Sequence, residues 1–361
     1  MKPEAILQAA AELIDQIEST ETPANDVINT YTRARRYIGS KDRRALTDWV
    51  WGYIRHRRRL HFLAPKADTL QHLQLLSEGQ AESIPEASPA VNFEVPDWLP
   101  ALIPDAETEL PALLDSAPTI LRANGNRDLI RKELAAAGIE TEPTKLSPYG
   151  LILTKRVNLQ ALPCYQQGRV EVQDEGSQLI ALETGIRAGD SVLDYCAGAG
   201  GKSLIFAQMM QDRGLIVAHD SIRSRLTELK RRADRARFKS IQIPASIQNR
   251  LFDHVVTDVP CSGTGTWRRC PDMRWKLTPD RLSDLVKTQA SIFDSAIRFV
   301  RPGGLISYMT CSLLKSENED QVTAFLDRYP TLRLMRSRRL SPARTGTDGF
   351  FVAVFHQDSE S

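Results

Sequence analysis

Residues 191–210, SVLDYCAGAGGKSLIFAQMM, run from an apolar strand through a glycine-rich turn into a helix. This junction constrains the fold more than any other stretch. Glycines remove the Cβ atoms that would keep a ligand from backbone N–H groups at the positive end of a helix, and a strand feeding a helix in this way opens a doubly wound α/β sheet. Two phosphate-binding versions are excluded by single residues. A triphosphate loop needs G-x-x-x-x-G-K-[ST]; Gly201, Lys202 and Ser203 supply the ending, but Cys196 stands where the first glycine belongs. A dinucleotide fingerprint needs G-x-G-x-x-G, and Ser203 stands where Gly198 and Gly200 require the third glycine. A nucleoside remains. Asp220 closes the strand candidate LIVAHD 19 residues after Gly201, the spacing at which an acid takes ribose hydroxyls. Asp194, at the end of the first strand, is expected to orient the loop or to meet an amino group of the ligand.

At 361 residues the chain exceeds one domain of ordinary size. Residues 1–65 read as a helical unit: Ile6, Ala9, Leu13 and Ile17 share one face, and Trp49, Val50, Tyr53, Ile54 and Leu60 recur at helical spacing. Residues 66–97 lose that period and gather Pro, Ser and Glu, as a linker does. Residues 98–170 alternate short strands with the helix NRDLIRKELAAAG, and 171–357 alternate SVLDYC, LIVAHD, HVVTDVP, GLISYMTC and GFFVAVF with longer helices. The opening residues lack the basic start and apolar run of a secretory leader, and no stretch has the 18 or so apolar residues of a membrane span, so a cytoplasmic location is expected.

The net charge of +2 hides two basic runs. From Arg33 to Arg59 there are ten Lys or Arg against two acids, and from Arg223 to Lys239 eight against two. Such runs either contact nucleic-acid phosphates or form solvated helix faces.

Five cysteines (Cys164, Cys196, Cys261, Cys270, Cys311) form no C-x-x-C pair, which speaks against a zinc site or a redox dithiol, and no metal is expected. Cys261 and Cys311 differ from the rest, because each follows a strand candidate, HVVTDVP and GLISYMT. In an open α/β sheet the carboxyl ends of the strands form the ligand-binding rim, so the two face one cleft. A thiolate there can add to an electron-poor ring carbon, such as C6 of a cytosine, and leave again. Asp258 is placed to hold N3 and the exocyclic amine of such a base; Pro260 stiffens the loop, and Gly263 and Gly265 leave room for the base to enter.

Four motifs, VQDEGSQL (Val172–Leu179), DYCAGAGGKS, DVPCSGTGTWRRCPDMRW and MTCSLLKSENEDQV, resemble those of the NOL1/NOP2/Sun family of RNA cytosine-5 methyltransferases, within it the bacterial ribosomal small-subunit methyltransferase B group. The resemblance covers residues 98–356. It implies a Rossmann-like class I methyltransferase domain that uses S-adenosyl-L-methionine, acts on RNA of the small ribosomal subunit and works as a monomer. It implies that Cys311 attacks C6 and that Cys261 helps to release the product. The cofactor and base pocket would be lined by Cys196, Ala197, Gly198, Ala199, Gly200, Gly201 and Lys202 with Asp220 and Asp258. Arg268, Arg269, Asp272 and Trp275 would form an active-site and RNA-facing wall. The N-terminal helices resemble a shortened NusB-like RNA-binding unit, and residues 98–170 an RNA-recognition-type domain.

Two departures from the family pattern matter. Gly198 and Ala199 replace its usual Ala-Pro, and QIPASIQN lacks the acid that meets adenine, leaving that task to Ala245 or Ser246 or to their backbone groups. DNA cytosine-5 and exocyclic-amine methyltransferases are set aside by the motifs around Pro260–Cys261. The rival from another class is a non-catalytic RNA-binding ribosome-assembly factor on the same scaffold.

Overall fold

The computed structural model describes residues 1–82 and 84–358 and divides into two compact units. One comprises Met1–Ser116 and Thr266–Pro279; the other comprises Ala117–Gly265 and Asp280–Ser361. Among the described residues no helix is long and apolar enough to cross a membrane.

The first unit is helical. Helices Pro3–Glu18, Ala24–Ala34, Ser40–Leu63 and Thr69–Ser77 bury Leu13, Ile14, Ile28, Val50, Tyr53, Leu60 and Leu73 in one core. The helix Ser40–Leu63 is broken at His56 (φ −117°, ψ 15°), which frees backbone N–H groups in the turn that follows. The Glu94 carboxylate accepts from the N–H of Arg58 (2.8 Å) and of Arg59 (3.1 Å), so a residue far along the chain caps the second half of the helix. Burial pushes the Glu94 carboxyl up to about 7, against the pull of those two N–H groups.

Residues 66–97, expected as a linker, are instead part of this body. Asp68 and Gln71 form a reciprocal capping box at the start of Thr69–Ser77, and Leu73 has no exposed surface. Residues 98–116 also belong to the first unit, which moves the expected boundary at 98 to about 117. All five tryptophans of the chain, Trp49, Trp51, Trp98, Trp267 and Trp275, fall within it.

The second unit carries two sheets. Strands β1 (Ile120–Ala123), β2 (Thr141–Pro143), β3 (Gly150–Leu153) and β4 (Val170–Val172) lie in the order β2-β3-β1-β4 with antiparallel neighbours. Helix Arg127–Ala136 joins β1 to β2, and the single turn Pro163–Gln166 lies between β3 and β4, giving two split β-α-β units. Glu171 on β4 is buried and holds Arg232 (3.0 Å) and Arg235 of the helix Leu226–Ala236. Part of the second basic run is therefore spent inside the fold.

The large sheet contains β5 (Ser191–Asp194), β6 (Leu215–Ala218), β7 (Ile241–Gln242), β8 (Phe252–Asp258), β9 (Val300–Thr310), β10 (Leu332–Leu340) and β11 (Phe350–Gln357). Its order is β10-β11-β9-β8-β5-β6-β7, with β11 antiparallel to both β9 and β10 and the other pairs parallel. This is the doubly wound sheet expected for the class I methyltransferase fold. The chain leaves β5 for β6 on one side and reaches β8 on the other, so the crevice beyond the carboxyl ends of β5 and β8 is the switch point where such sheets bind ligands. Two strands of this sheet, and β4 of the smaller one, escaped sequence reading. β7 has two residues, and β10 (LRLMRSRRL) lies at an edge with its middle exposed, so its arginines conceal the strand pattern.

Candidate active site

A cavity of about 490 Å³ opens at that switch point, lined among others by Cys196, Gly198, Asp220, Asp258, Cys261 and Cys311. The glycine-rich turn reaches it through backbone geometry. Gly198 has φ 52° and its N–H donates to Asp220 Oδ2 (2.9 Å), while Asp220 Oδ1 accepts from the N–H of Ile222 (2.8 Å). Asp220 thus braces the loops after β5 and β6 from the cavity wall. Gly200 has a different reason to be glycine: at φ 87°, a Cβ would stand 2.1 Å from Leu229 Cδ1. Ala197, Ala199, Gly200, Gly201 and Lys202 do not line the cavity. They set the turn and the start of the helix Gly201–Met209.

Asp194 is fully buried and accepts from Ser203 Oγ at 2.6 Å, tying the end of β5 to that helix. Burial, helped by the charges of Asp258 and Asp220, pushes its carboxyl up to about 7. Lys202 is the cation beneath the site: its Nζ lies 3.1 Å from Asp258 Oδ2 and 3.0 Å from Ser177 Oγ, with Phe350 under it at 5.6 Å. Held at the end of β8, Asp258 presents a carboxylate to the cavity from a fixed side.

Cys261 and Cys311 follow the neighbouring parallel strands β8 and β9, paired as Asp258↔Met309. Their Sγ atoms are 3.3 Å apart, and the Cys311 N–H donates to Cys261 Sγ at 3.3 Å. The hydrogen bond with Cys311, burial, and the charges of Cys311 and Glu317 all push the Cys261 thiol well above its ordinary range. Burial and three nearby carboxylates likewise push Cys196 up, leaving a lining thiol of low reactivity.

Several expectations are corrected. Gly265 makes no room for a base, because a Cβ there would meet the Gly349 backbone oxygen at 2.2 Å; the Gly349 N–H also donates to Gly265 O at 2.8 Å. Ala245 and Ser246 do not line the cavity: Ala245 O accepts from Arg223 (3.1 Å), and Ser246 Oγ accepts from the Gln248 N–H (3.2 Å). Arg268, Arg269, Asp272 and Trp275 are not among the lining residues and belong to the helical unit. There Asp272 Oδ2 accepts from the Ala24 N–H at 2.9 Å, Trp275 Nε1 donates to Ile54 O at 3.4 Å, and Arg268 O accepts from Arg55 at 3.0 Å.

Sequence reasoning also missed residues. Tyr195 and His219 stack at 4.8 Å on the wall, and Arg225, Thr288, Ser291 and Ser295 add polar atoms to it. Glu317 sits in SENEDQV, a motif that gave it no assigned role.

Residues 181–356 match the family described as 16S rRNA methyltransferase RsmB/F. The chain is 31% identical over 260 residues to the probable ribosomal RNA small subunit methyltransferase B of Bacillus subtilis, covering 64% of this chain and 58% of that one. It is 33% identical over 311 residues to the ribosomal RNA small subunit methyltransferase B of Xylella fastidiosa, covering 79% of this chain and 71% of that one. It thus spans less than two thirds of the length of the Bacillus relative. The crystal structure of a methyltransferase homolog protein from Pyrococcus horikoshii superimposes with a TM-score of 0.62 at 25% identity, over 70% of this chain and 90% of that one. With the strand order, the switch-point cavity and the paired cysteines already in place, these likenesses converge: the chain belongs to the ribosomal RNA small subunit methyltransferase B group of the NOL1/NOP2/Sun family.

Proposed function

We propose that this chain methylates C5 of a cytosine in small-subunit (16S) ribosomal RNA, and that Cys311 and Cys261 divide the work. The observation that carries the reading is the 3.3 Å approach of the two thiols on the wall of the switch-point cavity, with Asp258 on the same wall. C5 of cytosine is a weak nucleophile until something adds to C6. Cys311 Sγ forms a bond to C6, and the displaced ring electrons make C5 an enamine carbon. Asp258 holds N3 and the exocyclic amine, so that N3 takes a proton from water as C6 is attacked and returns it to water once C5 carries its new substituent.

Negative charge on Cys311 Sγ, 3.3 Å away, favours the protonated form of Cys261. Once Cys311 Sγ is bonded to carbon that negative charge is gone, so Cys261 gives up its proton more readily and becomes a base. It then takes the C5 proton, the C6–Sγ bond breaks, and the electrons return to Cys311. One proton passes to water, and both thiols are restored.

S-adenosylmethionine fits the cavity and, bound there, supplies an electrophilic methyl group. Gly198 and Asp220 would hold its nucleoside end. The cradle suits it because the φ of 52° at Gly198 keeps this wall free of a side chain.

The test is incubation with S-adenosylmethionine and 16S rRNA lacking the modification, followed by mass spectrometry for 5-methylcytosine. Cys311→Ala abolishes product without trapping RNA. Cys261→Ala accumulates a covalent protein–RNA adduct on denaturing gels. Trapping by Cys311→Ala instead would reverse the two roles, and tight RNA binding without product from any rRNA fraction would favour a non-catalytic assembly factor.

A further inference from the structure

Glu317 ends the short 3-10 turn Lys315–Glu317 that follows Cys311 and has no exposed surface. Its Oε1 accepts from the Ser262 N–H at 2.8 Å and from Gln289 Nε2 at 2.9 Å, and its Oε2 accepts from the hydroxyls of Ser262 and Ser312. Ser262 is the residue after Cys261, and Ser312 is the residue after Cys311. Gln289 also donates to Pro260 O (3.1 Å), the residue before Cys261, and the Tyr308 hydroxyl donates to Glu317 O (2.7 Å). The two serine hydroxyls lie 3.2 Å apart between the loops. One carboxylate therefore grips both cysteine loops at equivalent places.

Burying a carboxylate is costly, and apolar side chains of similar volume would fill such a junction at least as stably. The charge needs a reason other than packing. Cys261 feels it: the Glu317 carboxylate is among the causes that raise this thiol, behind its hydrogen bond to Cys311 and its burial.

We propose that Glu317 is a positioning residue for the thiol pair: it holds the Cys261 and Cys311 loops in register and places a buried negative charge behind them. The catalytic part of this inference rests on the roles given to the cysteines above; the effect on the thiols does not.

The experiment uses the full chain without RNA, reading iodoacetamide alkylation of each cysteine by mass spectrometry from pH 6 to 10. Glu317→Gln keeps the span and removes the charge. It shifts the Cys261 alkylation midpoint down by about one pH unit, about a tenfold faster reaction at pH 8. Glu317→Asp keeps the charge but shortens the reach, and leaves the midpoint in place. With RNA, both variants lose about 10- to 100-fold in kcat, while KM for RNA stays within about twofold, as expected for misaligned groups.

A folded Glu317→Gln protein with the wild-type midpoint overturns the proposal. Where Glu317→Gln does not fold, Ser312→Ala decides. It unties the Cys311 loop while keeping the charge, so kcat falls about tenfold and the midpoint does not drop; unchanged kcat overturns the proposal. If the wild-type chain makes no methylcytosine while Glu317→Gln still shifts the midpoint, the assigned reaction fails and the role of Glu317 toward the thiols stands.

Discussion

Gly200→Ala tests whether the glycine-rich turn owes its shape to backbone conformation, to packing, or to both. At φ 87° an alanine carries the left-handed penalty, about 1–2 kcal/mol. Its Cβ would also stand 2.1 Å from Leu229 Cδ1 and 3.0 Å from both Cβ and Cγ of the same side chain. Leu229 is fully buried on the helix Leu226–Ala236 and its Cβ as well as its tip is in the way, so a rotamer change alone does not relieve the contact and overpacking adds about 1–3 kcal/mol. The expected total is about 2–5 kcal/mol. Leu229→Ala alone costs a comparable amount through its cavity, about 2–5 kcal/mol. Combined with Gly200→Ala, however, it removes the clash, and the alanine then costs only its backbone share. A double-mutant cycle should show favourable coupling of about 1–3 kcal/mol. Hydrogen exchange of peptides from β6 and from Gly201–Met209 reports the second unit directly, where tryptophan fluorescence would not. Additivity within about 0.5 kcal/mol would refute the packing argument, and a Gly200→Ala cost below about 1 kcal/mol would refute both parts.

Other outcomes follow from the same geometry. A carboxyl whose folded value is raised to about 7 makes the folded state bind more protons between the ordinary Asp value and pH 7, so stability falls as pH rises through that window. Asp194→Asn should flatten this slope by up to one proton in hydrogen exchange of the second unit, and an unchanged slope would contradict the burial argument. Glu94→Gln should do the same for the helical unit, read by tryptophan fluorescence. Arg59, buried on the carbonyls of Ala81, Glu82 and Asn92, should cost about 3–5 kcal/mol as Arg59→Met in urea unfolding, whereas Arg57→Ala, which loses a partly exposed pair with Glu18, should cost at most about 1 kcal/mol. Arg43→Ala and Arg44→Ala, both on the exposed face, should leave stability alone and each lower the salt slope of RNA binding by about 1 in filter-binding assays; an unchanged slope would remove this face from any RNA contact.

The sequence was most informative where local chemistry and strand position coincide. The turn from Asp194 to Lys202 is legible because glycine is demanded by a positive φ, and Cys261 and Cys311 are legible because each ends an apolar run that pairs in register with the other. The basic run from Arg33 to Arg59 misled in part. Arginine is also a buried hydrogen-bond donor, and Arg59 and Arg55 are spent on backbone carbonyls. Glu317 was hidden because its partners, Ser262, Gln289 and Ser312, come together only when β8, the helix Pro279–Ala296 and β9 are assembled. The same holds for Asp272 and Trp275, since nothing local tells a loop which body it will join. Gly265 was read as an opening because a missing side chain looks the same from sequence whether a ligand or a backbone fills the space.

The excursion Thr266–Pro279 bears on the order in which the protein is made. Most of the helical body precedes the second unit in the chain, yet Trp275 packs against its core, Arg274 is bonded to the carbonyls of Glu94 and Leu113, and its Ala24 N–H is capped by Asp272. Those residues leave the ribosome about 160 positions after Ser116, some 10–30 s later at ordinary translation speeds. The helical body therefore cannot complete its core until Pro279 has been made, and it must wait, incompletely packed, while Ala117–Gly265 of the second unit are added.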